Sequence, residues 1–324
     1  MLYPLKFFPI LKERLWGGNA LAEKYHKTND THSKFGESWE ISDLDDDISV
    51  VSNGFLADND LRELLETYMG DLVGEAVFEK NGLGLPLLIK LIDAQDVLSV
   101  QVHPDDMLAR QRYQQNGKTE MWYVLHAEEN AGIYVGFNKN IEKQDYIDAV
   151  IHKDIASLLK FEPVKKGNLF FIPAGTVHAL GKGVRVLEIQ QPSDITYRIF
   201  DWNRVDDKGF PRELHIAEAL EAIHFEENKN YKIEYEEKFN ATSVLFRSEF
   251  FNVNSIFFEK PLQKNYSTID SFVIYHCVEG EVHLFGEDFH EVLYRGETTL
   301  VPACIAEINL VPNAISRLLE IYKL

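Results

Sequence analysis

The sequence predicts a mainly β fold of two jelly-roll barrels with helical insertions, in which the second barrel is degenerate. Many short apolar runs are separated by turns that contain Gly or Pro, as in β-sandwiches and barrels. A few longer stretches with helical spacing interrupt them. The third observation is a possible repeat, because Lys166-Gly167 precedes Ile172-Pro173-Ala174 by the same distance as Arg295-Gly296 precedes Val301-Pro302-Ala303. The alternative is that both are unrelated strand–proline–strand passages.

The composition narrows the class of protein. Of the 324 residues, 45% are hydrophobic and 26% are charged, as in a soluble protein with a large core. The formal net charge of −19 argues against a general affinity for nucleic acid or anionic membranes. Cys277 and Cys304 are the only cysteines, which excludes a disulfide framework and favours a reducing compartment. We find neither a signal peptide nor an apolar run of membrane-spanning length, so a cytoplasmic location is expected.

The N-terminal part is predicted to contain strands and one long helix. Residues 1–55 have an irregular, strand-like pattern, with a turn at Trp16-Gly17-Gly18 and a strand from Gly36 to Ile41. Leucines at helical spacing predict a helix over residues 58–79, with Asn59 or Asp60 as its N-cap. The strands that follow are predicted at residues 85–94, 98–103, 121–125 and 132–137.

The later part of the chain is also predicted to contain both helices and strands. Residues 140–159 and 213–223 carry apolar side chains at helical spacing and are predicted to be helices. Residues 169–172 and 184–189 are predicted to be strands. The strand pattern resumes after the charged stretch 226–238, so we place a domain boundary there and divide the chain into residues 1–235 and 236–324.

Two short motifs carry the candidate chemistry. Gln101 and His103 are two residues apart, so they project from the same face of a strand. His178 closes an Ile-Pro-Ala-Gly-Thr turn, and Glu120 follows a Gly-Lys turn. Two imidazoles and one carboxylate with open positions predict a catalytic site for a divalent metal rather than a closed structural site. Gln101 is either a further metal ligand or a residue that contacts the ligands without binding the metal, because an amide oxygen is a weak metal ligand.

Three basic residues near these motifs indicate an anionic ligand. Lys90 interrupts an apolar strand, where an ammonium group without a partner would be costly to bury. Lys118 lies two residues before Glu120, and Arg198 lies in the segment that follows His178 along the chain. The alternatives are a Lys90 that extends to solvent, an exposed turn lysine at position 118, and an Arg198 that forms a surface salt bridge.

These motifs together resemble the type I mannose-6-phosphate isomerases, or phosphomannose isomerases, in particular the shorter bacterial members of this cupin family. The matching stretches cover roughly residues 7–215 and are Trp16 to Gly18, Leu85 to Ala94, Leu98 to Asp106, Gly117 to Leu125, Ile172 to Gly181 and Asp194 to Arg204. The resemblance implies a zinc-dependent isomerase, with one Zn²⁺ per chain, that interconverts mannose 6-phosphate and fructose 6-phosphate through an enediol(ate) intermediate. Residues 1–235 would be the catalytic cupin domain with helical insertions, and residues 236–324 a degenerate cupin-like β domain.

The resemblance also implies roles for individual residues. The implied metal ligands are Gln101, His103, Glu120 and His178. Arg198 matches the catalytic arginine of the family, and the residues that match its substrate pocket are Lys90, Ser99 and Lys118. Lys118 is also a catalytic acid–base candidate because of its position beside Glu120. Asp194 and Glu188 are candidates for a proton relay or for orienting Arg198. The general base is left open among Lys118, Asp194, Glu188 and a water molecule at the metal.

Two departures from the family pattern limit the transfer of these roles. Longer members carry a large helical insertion that 324 residues do not accommodate, and Gly117 stands where some relatives have a histidine. Two alternative functions are a metal-dependent cupin oxygenase and a non-catalytic sugar-binding or storage cupin that keeps its metal for structure. The expected partner is a small-molecule sugar phosphate, without nucleic acid or membrane, and the oligomeric state is left open.

Overall fold

The fold is mainly β, as predicted, with helices inserted between strands. The computed structural model describes residues 2–152, 154–205, 208–225 and 230–324. The helices are α1 (Ala20–Glu23), α2 (Leu61–Val73), α3 (Glu75–Asn81), α4 (Asp106–Tyr113), α5 (Lys143–Ile151) and α6 (Ile216–Ala222), with a 3₁₀ turn at Ile155–Leu158. Within the described residues, no helix has both the length and the apolar character needed to cross a membrane.

The strands fall into an N-terminal and a C-terminal group. The first group is β1 (Ile10–Gly18), β2 (Phe35–Ile41), β3 (Asp43–Leu44), β4 (Asp47–Ile48), β5 (Leu88–Ala94), β6 (Val100–Val102), β7 (Glu120–Ala127), β8 (Gly132–Phe137), β9 (Leu159–Pro163), β10 (Leu169–Ile172), β11 (His178–Leu180), β12 (Val184–Gln190), β13 (Tyr197–Phe200) and β14 (Lys232–Ile233). The second group is β15 (Ala241–Arg247), β16 (Asn252–Phe258), β17 (Leu262–Asn265), β18 (Val273–Glu279), β19 (Glu281–Phe285), β20 (His290–Tyr294), β21 (Thr298–Val301), β22 (Glu307–Pro312) and β23 (Ser316–Tyr322).

The N-terminal group forms two facing antiparallel sheets. Sheet 1 has the strand order β1-β2-β5-β12-β7-β10-β14, and sheet 2 has the order β13-β6-β11-β8-β9. Trp122 and Ile92 of sheet 1 pack with Ile133 and Leu180 of sheet 2 in one buried apolar cluster. This layer of side chains holds the two sheets at a fixed separation, and in the described part of the chain hydrogen bonds do not close them into a barrel.

The C-terminal group repeats this arrangement. Sheet 3 has the order β15-β16-β23-β18-β21, which corresponds strand for strand to β2-β5-β12-β7-β10 of sheet 1, and sheet 4 has the order β17-β22-β19-β20. The two copies of the predicted repeat lie on the corresponding strands β10 and β21. The structure therefore favours a true repeat over two unrelated passages.

The second copy lacks the metal-ligand pattern of the first. Glu307 pairs with Asn265 in the way that His178 pairs with Gln101. Val273 lies opposite Val301, where β7 of the first copy has Glu120 opposite Ile172. An apolar side chain has thus replaced the carboxylate, which is consistent with a degenerate second half.

The two halves pack back to back. The outer face of sheet 1, with Ile89 and Leu91, shares one apolar cluster with Val253 and Ile321 of sheet 3 and with the buried side of α2. The N-terminal segment also joins the halves, because the backbone of Leu5 pairs with that of Leu300 on β21. The predicted boundary between residues 235 and 236 stays a prediction, and residues 226–229 of the charged stretch lie outside the described residues.

Several predicted elements are confirmed. The single helix predicted over residues 58–79 is confirmed in part: α2 begins at Leu61, its backbone is non-helical at Met69, and α3 is a separate helix after Gly74. Asp60 is the N-cap of α2: the Asp60 carboxylate accepts from the backbone N–H of Glu63, and the Glu63 carboxylate accepts from that of Asp60. The strands predicted at residues 132–137 and 169–172 have the observed bounds.

Other predictions are wrong for tertiary reasons. Trp16-Gly17-Gly18 is the end of β1 and not a turn, because β1 and β2 approach so closely that a Cβ on Gly17 would lie 2.5 Å from the backbone nitrogen of Gly36. The helix predicted over residues 140–159 ends at Ile151, and Leu159 instead pairs with Phe137 at the start of β9. The helix predicted from residue 213 begins at Ile216. Helix α4 was not predicted.

A buried histidine lies where the two halves meet. His276 on β18 is adjacent to Thr298 on β21, and its Nδ1 lies 2.9 Å from the Thr298 hydroxyl. That hydroxyl donates to Glu40 of sheet 1, so the imidazole Nδ1–H is the donor to Thr298. Within the described residues His276 Nε2 has no hydrogen-bond partner. Burial, with a smaller contribution from the Lys27 ammonium, lowers the pKa of His276 to about 3.

This histidine is expected to make folding stability depend on pH. The unfolded chain, with a histidine pKa of about 6.5, binds a proton that the folded protein excludes between about pH 6.5 and 3. The free energy of unfolding should therefore fall as the pH falls through this window. We expect the wild type to lose roughly 2 kcal/mol more than His276→Asn between pH 6.5 and 5 in denaturant titrations. Equal losses in the two proteins would contradict this assignment.

Candidate active site

Two facing rows of polar and aromatic side chains build the candidate site. Residues opposite one another on adjacent strands of sheet 1 form the first row, which is Trp39, Lys90, Glu188 and Trp122. The second row, on sheet 2, is Arg198, Gln101 and His178. Register partners project from the same face of a sheet, so each row presents its side chains together. Members of both rows line a cavity of about 500 Å³.

His103, Glu120 and His178 converge as the sequence predicted. Their potential ligand atoms all lie within 4.8 Å of one another. His178 Nε2 is 3.2 Å from Glu120 Oε1, and His103 Nε2 is 3.5 Å from Glu120 Oε2. The carboxylate comes from the first residue of β7 in sheet 1, whereas the imidazoles come from β11 and from the residue that follows β6 in sheet 2. All three side chains are buried.

Backbone carbonyl groups fix the orientation of both imidazoles. His103 Nδ1 lies 2.9 Å from the carbonyl oxygen of Ile195, and His178 Nδ1 lies 2.8 Å from that of Thr176. A carbonyl oxygen only accepts, so each Nδ1 carries the proton and each Nε2 presents a lone pair to Glu120. Burial lowers the pKa of His178 to about 4, and burial together with the Lys118 ammonium lowers the pKa of His103 well below its usual value. Both rings are therefore neutral, as metal ligands must be.

The cluster fits a metal ion. Within the described residues, His103 Nε2 and Glu120 Oε1 are buried without a hydrogen-bond partner. Lone pairs that face one another in a buried site repel, and buried polar atoms without partners are costly. A cation between them would remove both costs, so these three residues could hold a metal ion. Gln101 lies beside them, with its amide nitrogen 3.3 Å from His178 Nε2; rotation of the amide group would present its oxygen instead.

Lys118 and Glu188 connect the cluster to the cavity. The Lys118 ammonium lies 3.1 Å from Glu120 Oε2 and 3.7 Å from Glu188 Oε1. The side chain is 4% exposed, so Lys118 is not an exposed turn lysine. Burial alone would lower its pKa, but Glu120 and Glu188 outweigh burial and raise it. Trp122 Nε1 donates to Glu188 over 2.8 Å, and burial raises the pKa of that carboxyl.

Lys90 lies among acidic groups rather than in solvent. It is 2% exposed, and its ammonium is 3.5 Å from Asp194, 3.8 Å from Glu188 and 3.9 Å from Glu37. The ring of Trp39 lies beneath the ammonium, with its centroid 4.3 Å away. The alternative that Lys90 extends to solvent is therefore wrong. Its partner Asp194 is exposed at the cavity edge.

Arg198 and Ser99 also line the cavity. The Arg198 side chain donates to the carbonyl oxygen of Glu213 over 2.9 Å. Among the described residues it pairs with neither Asp194 nor Asp201, and its Nε is buried without a hydrogen-bond partner. The surface salt bridge considered from the sequence is therefore absent from this part of the chain. The site roles inferred for these residues stay predictions.

Comparisons with known proteins give the family. Residues 5–142 match the family described as phosphomannose isomerase type I, catalytic domain. Mannose-6-phosphate isomerase ManA of Bacillus subtilis is 33% identical in an alignment of length 321 that covers 95% of this chain and 95% of its own. The mannose-6-phosphate isomerase of Streptococcus mutans is 39% identical over 69% of this chain and 68% of its own. The crystal structure of the mannose 6-phosphate isomerase from Bacillus subtilis has a TM-score of 0.88 at 32% identity and covers 99% of both chains.

The chain belongs to the type I phosphomannose isomerases. The resemblance stated from the motifs is thereby confirmed, and the protein is an enzyme of the aldose–ketose isomerase class. Neither the oxygenase nor the non-catalytic alternative receives support from these relatives.

Further residues of this isomerase's cavity were not identified from its sequence. Glu37 accepts from Trp39 Nε1 over 2.8 Å and from Arg14 Nε over 2.7 Å, so it links Arg14 to the Lys90 region. Lys90 and Arg14 lower the pKa of Glu37 although burial opposes them. The sequence could have pointed to Glu37, because a carboxylate in the predicted strand Gly36–Ile41 is as unusual as the ammonium of Lys90 in its apolar strand. Arg212 gave no such signal, since tertiary contacts bring it to the cavity.

Proposed function

We propose that the protein is a zinc-dependent isomerase that interconverts mannose 6-phosphate and fructose 6-phosphate through an enediol(ate) intermediate. The observation that carries the proposal is the convergence of two buried neutral imidazoles and a buried carboxylate, in which His103 Nε2 and Glu120 Oε1 have no hydrogen-bond partner among the described residues. This cluster lies beside a cavity whose lining includes basic side chains. The relatives that cover most of this chain bear the name mannose-6-phosphate isomerase. A sugar phosphate is the substrate class that suits a polar, basic cavity of about 500 Å³.

His103, Glu120 and His178 would hold the zinc ion, with Gln101 as the fourth ligand. Neutral imidazole nitrogens and a carboxylate oxygen are a usual ligand set for Zn²⁺. Zinc bound there supplies a Lewis acid that polarises the substrate oxygen next to the reacting carbons. The carbonyl groups of Ile195 and Thr176 keep both imidazoles in the ligating tautomer.

The other polar residues act on the sugar. Lys90 and Ser99 line the cavity and would bind the sugar phosphate there. Lys118 holds a proton close to both Glu120 and Glu188, where it can serve a substrate oxygen as negative charge develops. Glu188 and Asp194 are the proton-relay candidates, and the Arg198 guanidinium stabilises the oxyanion. The cytoplasmic location expected from the composition stays a prediction.

The test is a coupled assay of fructose 6-phosphate formation from mannose 6-phosphate. Removal of the metal by a chelator should lower turnover to below about 1% of its starting value, and added zinc should restore it. The control is protein treated with chelator that was first saturated with zinc. Full turnover in the metal-free protein would contradict the zinc requirement, and no turnover in the zinc-loaded protein would contradict the isomerase assignment.

A further inference from the structure

Charge is unevenly distributed around the cavity. Each of the two lysine ammonium groups lies within 4 Å of a carboxylate, since Lys90 pairs with Asp194 and Lys118 with Glu120. At the other end, Asp201 pairs with Arg204 and Arg212. Among the described residues no ion pair joins Arg198 to a carboxylate, although the charges of Asp201 and Glu213 act on its guanidinium. Within the described part of the chain, three guanidinium groups at this end thus have one carboxylate paired with them.

Asp201 fixes Arg212 at two points. Arg212 Nε donates to Asp201 Oδ2 over 2.8 Å, and Arg212 Nη2 donates to Oδ1 over 2.5 Å. Two parallel hydrogen bonds hold the guanidinium plane in one orientation. Arg204 also donates to Asp201, but its Nη1 is bound to the carbonyl oxygen of Val97. Of these two arginines, Arg212 is the one that lines the cavity.

Arg198 and Arg212 are like charges placed close together. Burial, and next the charge of Arg212, lower the pKa of Arg198. Arg198 Nε is also a buried donor with no acceptor among the described residues. A dianion bound to Arg212 would offset the repulsion between the two guanidinium groups.

The strand order separates this end from the metal cluster by a suitable distance. Arg198, Gln101 and His178 are register partners on three adjacent strands of sheet 2. Two strand spacings are about 10 Å. This span leaves room for a six-carbon sugar whose carbonyl end lies at His178 and whose phosphate lies at the arginine end of the cavity, which Arg212 lines.

We propose that Arg212, oriented by Asp201, binds the phosphate group of the substrate and makes the enzyme select a phosphomonoester dianion over a neutral sugar. The proposal rests on the proposed function for the identity of the sugar. Arg212 contacts the phosphate, whereas Asp201 is a positioning residue that acts through Arg212.

The test uses zinc-loaded wild type, Arg212→Gln, Arg212→Lys and Asp201→Asn, with Arg110→Gln on α4 as the matched control because its side chain is 67% exposed. Arg212→Gln should raise the KM for mannose 6-phosphate and the inhibition constant of inorganic phosphate by about ten- to a hundred-fold. Its kcat and zinc content should stay close to the wild type. Arg212→Lys should recover part of the loss, since an ammonium keeps the charge but not the two-point geometry. Asp201→Asn should shift KM in the same direction.

Unchanged KM and phosphate inhibition in Arg212→Gln, or a loss confined to kcat, would overturn the proposal. If that variant does not fold, Arg212→Lys and Asp201→Asn carry the same test. Calorimetry of inorganic phosphate binding to the zinc-loaded protein tests this proposal independently of the proposed function. Phosphate binding that Arg212→Gln weakens at least about ten-fold supports the anion site even if the wild type shows no isomerase activity.

Discussion

Replacement of His178 by alanine is expected to remove both the bound metal and the isomerase activity. Its Nε2 faces Glu120 from 3.2 Å, and its Nδ1 is held by the carbonyl group of Thr176. Loss of this ring leaves one imidazole, one carboxylate and the weak amide ligand of Gln101, which are too few strong protein ligands for tight zinc binding. We expect zinc content to fall close to zero and kcat/KM to fall by at least about a thousand-fold. Elemental analysis and the coupled assay measure the two effects.

The matched control is His152→Ala, which removes an exposed histidine at the end of α5. It should retain zinc and activity. His178→Gln, which nearly keeps the side-chain volume, separates loss of the ligand from collapse of the site. A folded His178→Ala protein with wild-type zinc content and turnover would refute the assignment of His178 as a ligand.

Lys118→Met is expected to lower kcat by roughly a hundred- to ten-thousand-fold while zinc stays bound. The substitution keeps the length of the side chain and removes the ammonium that lies between Glu120 and Glu188. No charged donor then remains at that position to serve a substrate oxygen during proton transfer. Steady-state kinetics and metal analysis on the same preparation distinguish lost catalysis from lost zinc.

The control for this variant is Lys160→Met on β9, where the lysine pairs with Glu162 at the surface. It should leave kcat unchanged. Turnover within about three-fold of wild type in Lys118→Met would exclude a catalytic role, because general acid–base groups contribute far more than that. Loss of zinc in Lys118→Met would instead assign the residue to support of the metal cluster.

Much of the candidate site could be predicted because its signals are local. Period-two spacing places Gln101 and His103 on one face, and a Pro-Gly turn marks His178. A lysine in an apolar strand is a conflict that only a buried partner resolves, and Lys90 indeed has acidic neighbours. Such conflicts between a residue and its segment mark functional positions.

The features that were missed depend on contacts between distant segments. From the sequence, Gly17 resembles a turn residue. In the structure it lies in a strand, where the absence of a side chain allows β1 to pack closely against β2. Leu159 has helical spacing with its predecessors, but pairing with Phe137 stabilises a strand there. The position of Arg212 depends on Asp201, and spacing alone does not reveal that this carboxylate is shared between two arginines.

The pairing of Leu5 with Leu300 has a consequence for how the protein folds during its synthesis. The N-terminal segment is synthesised long before its partner strand leaves the exit tunnel. Until then the outer face of sheet 1, with Ile89 and Leu91, lacks the apolar layer that sheet 3 provides. The nascent chain therefore exposes apolar surface on its first half until the strands of sheet 3 emerge and cover it.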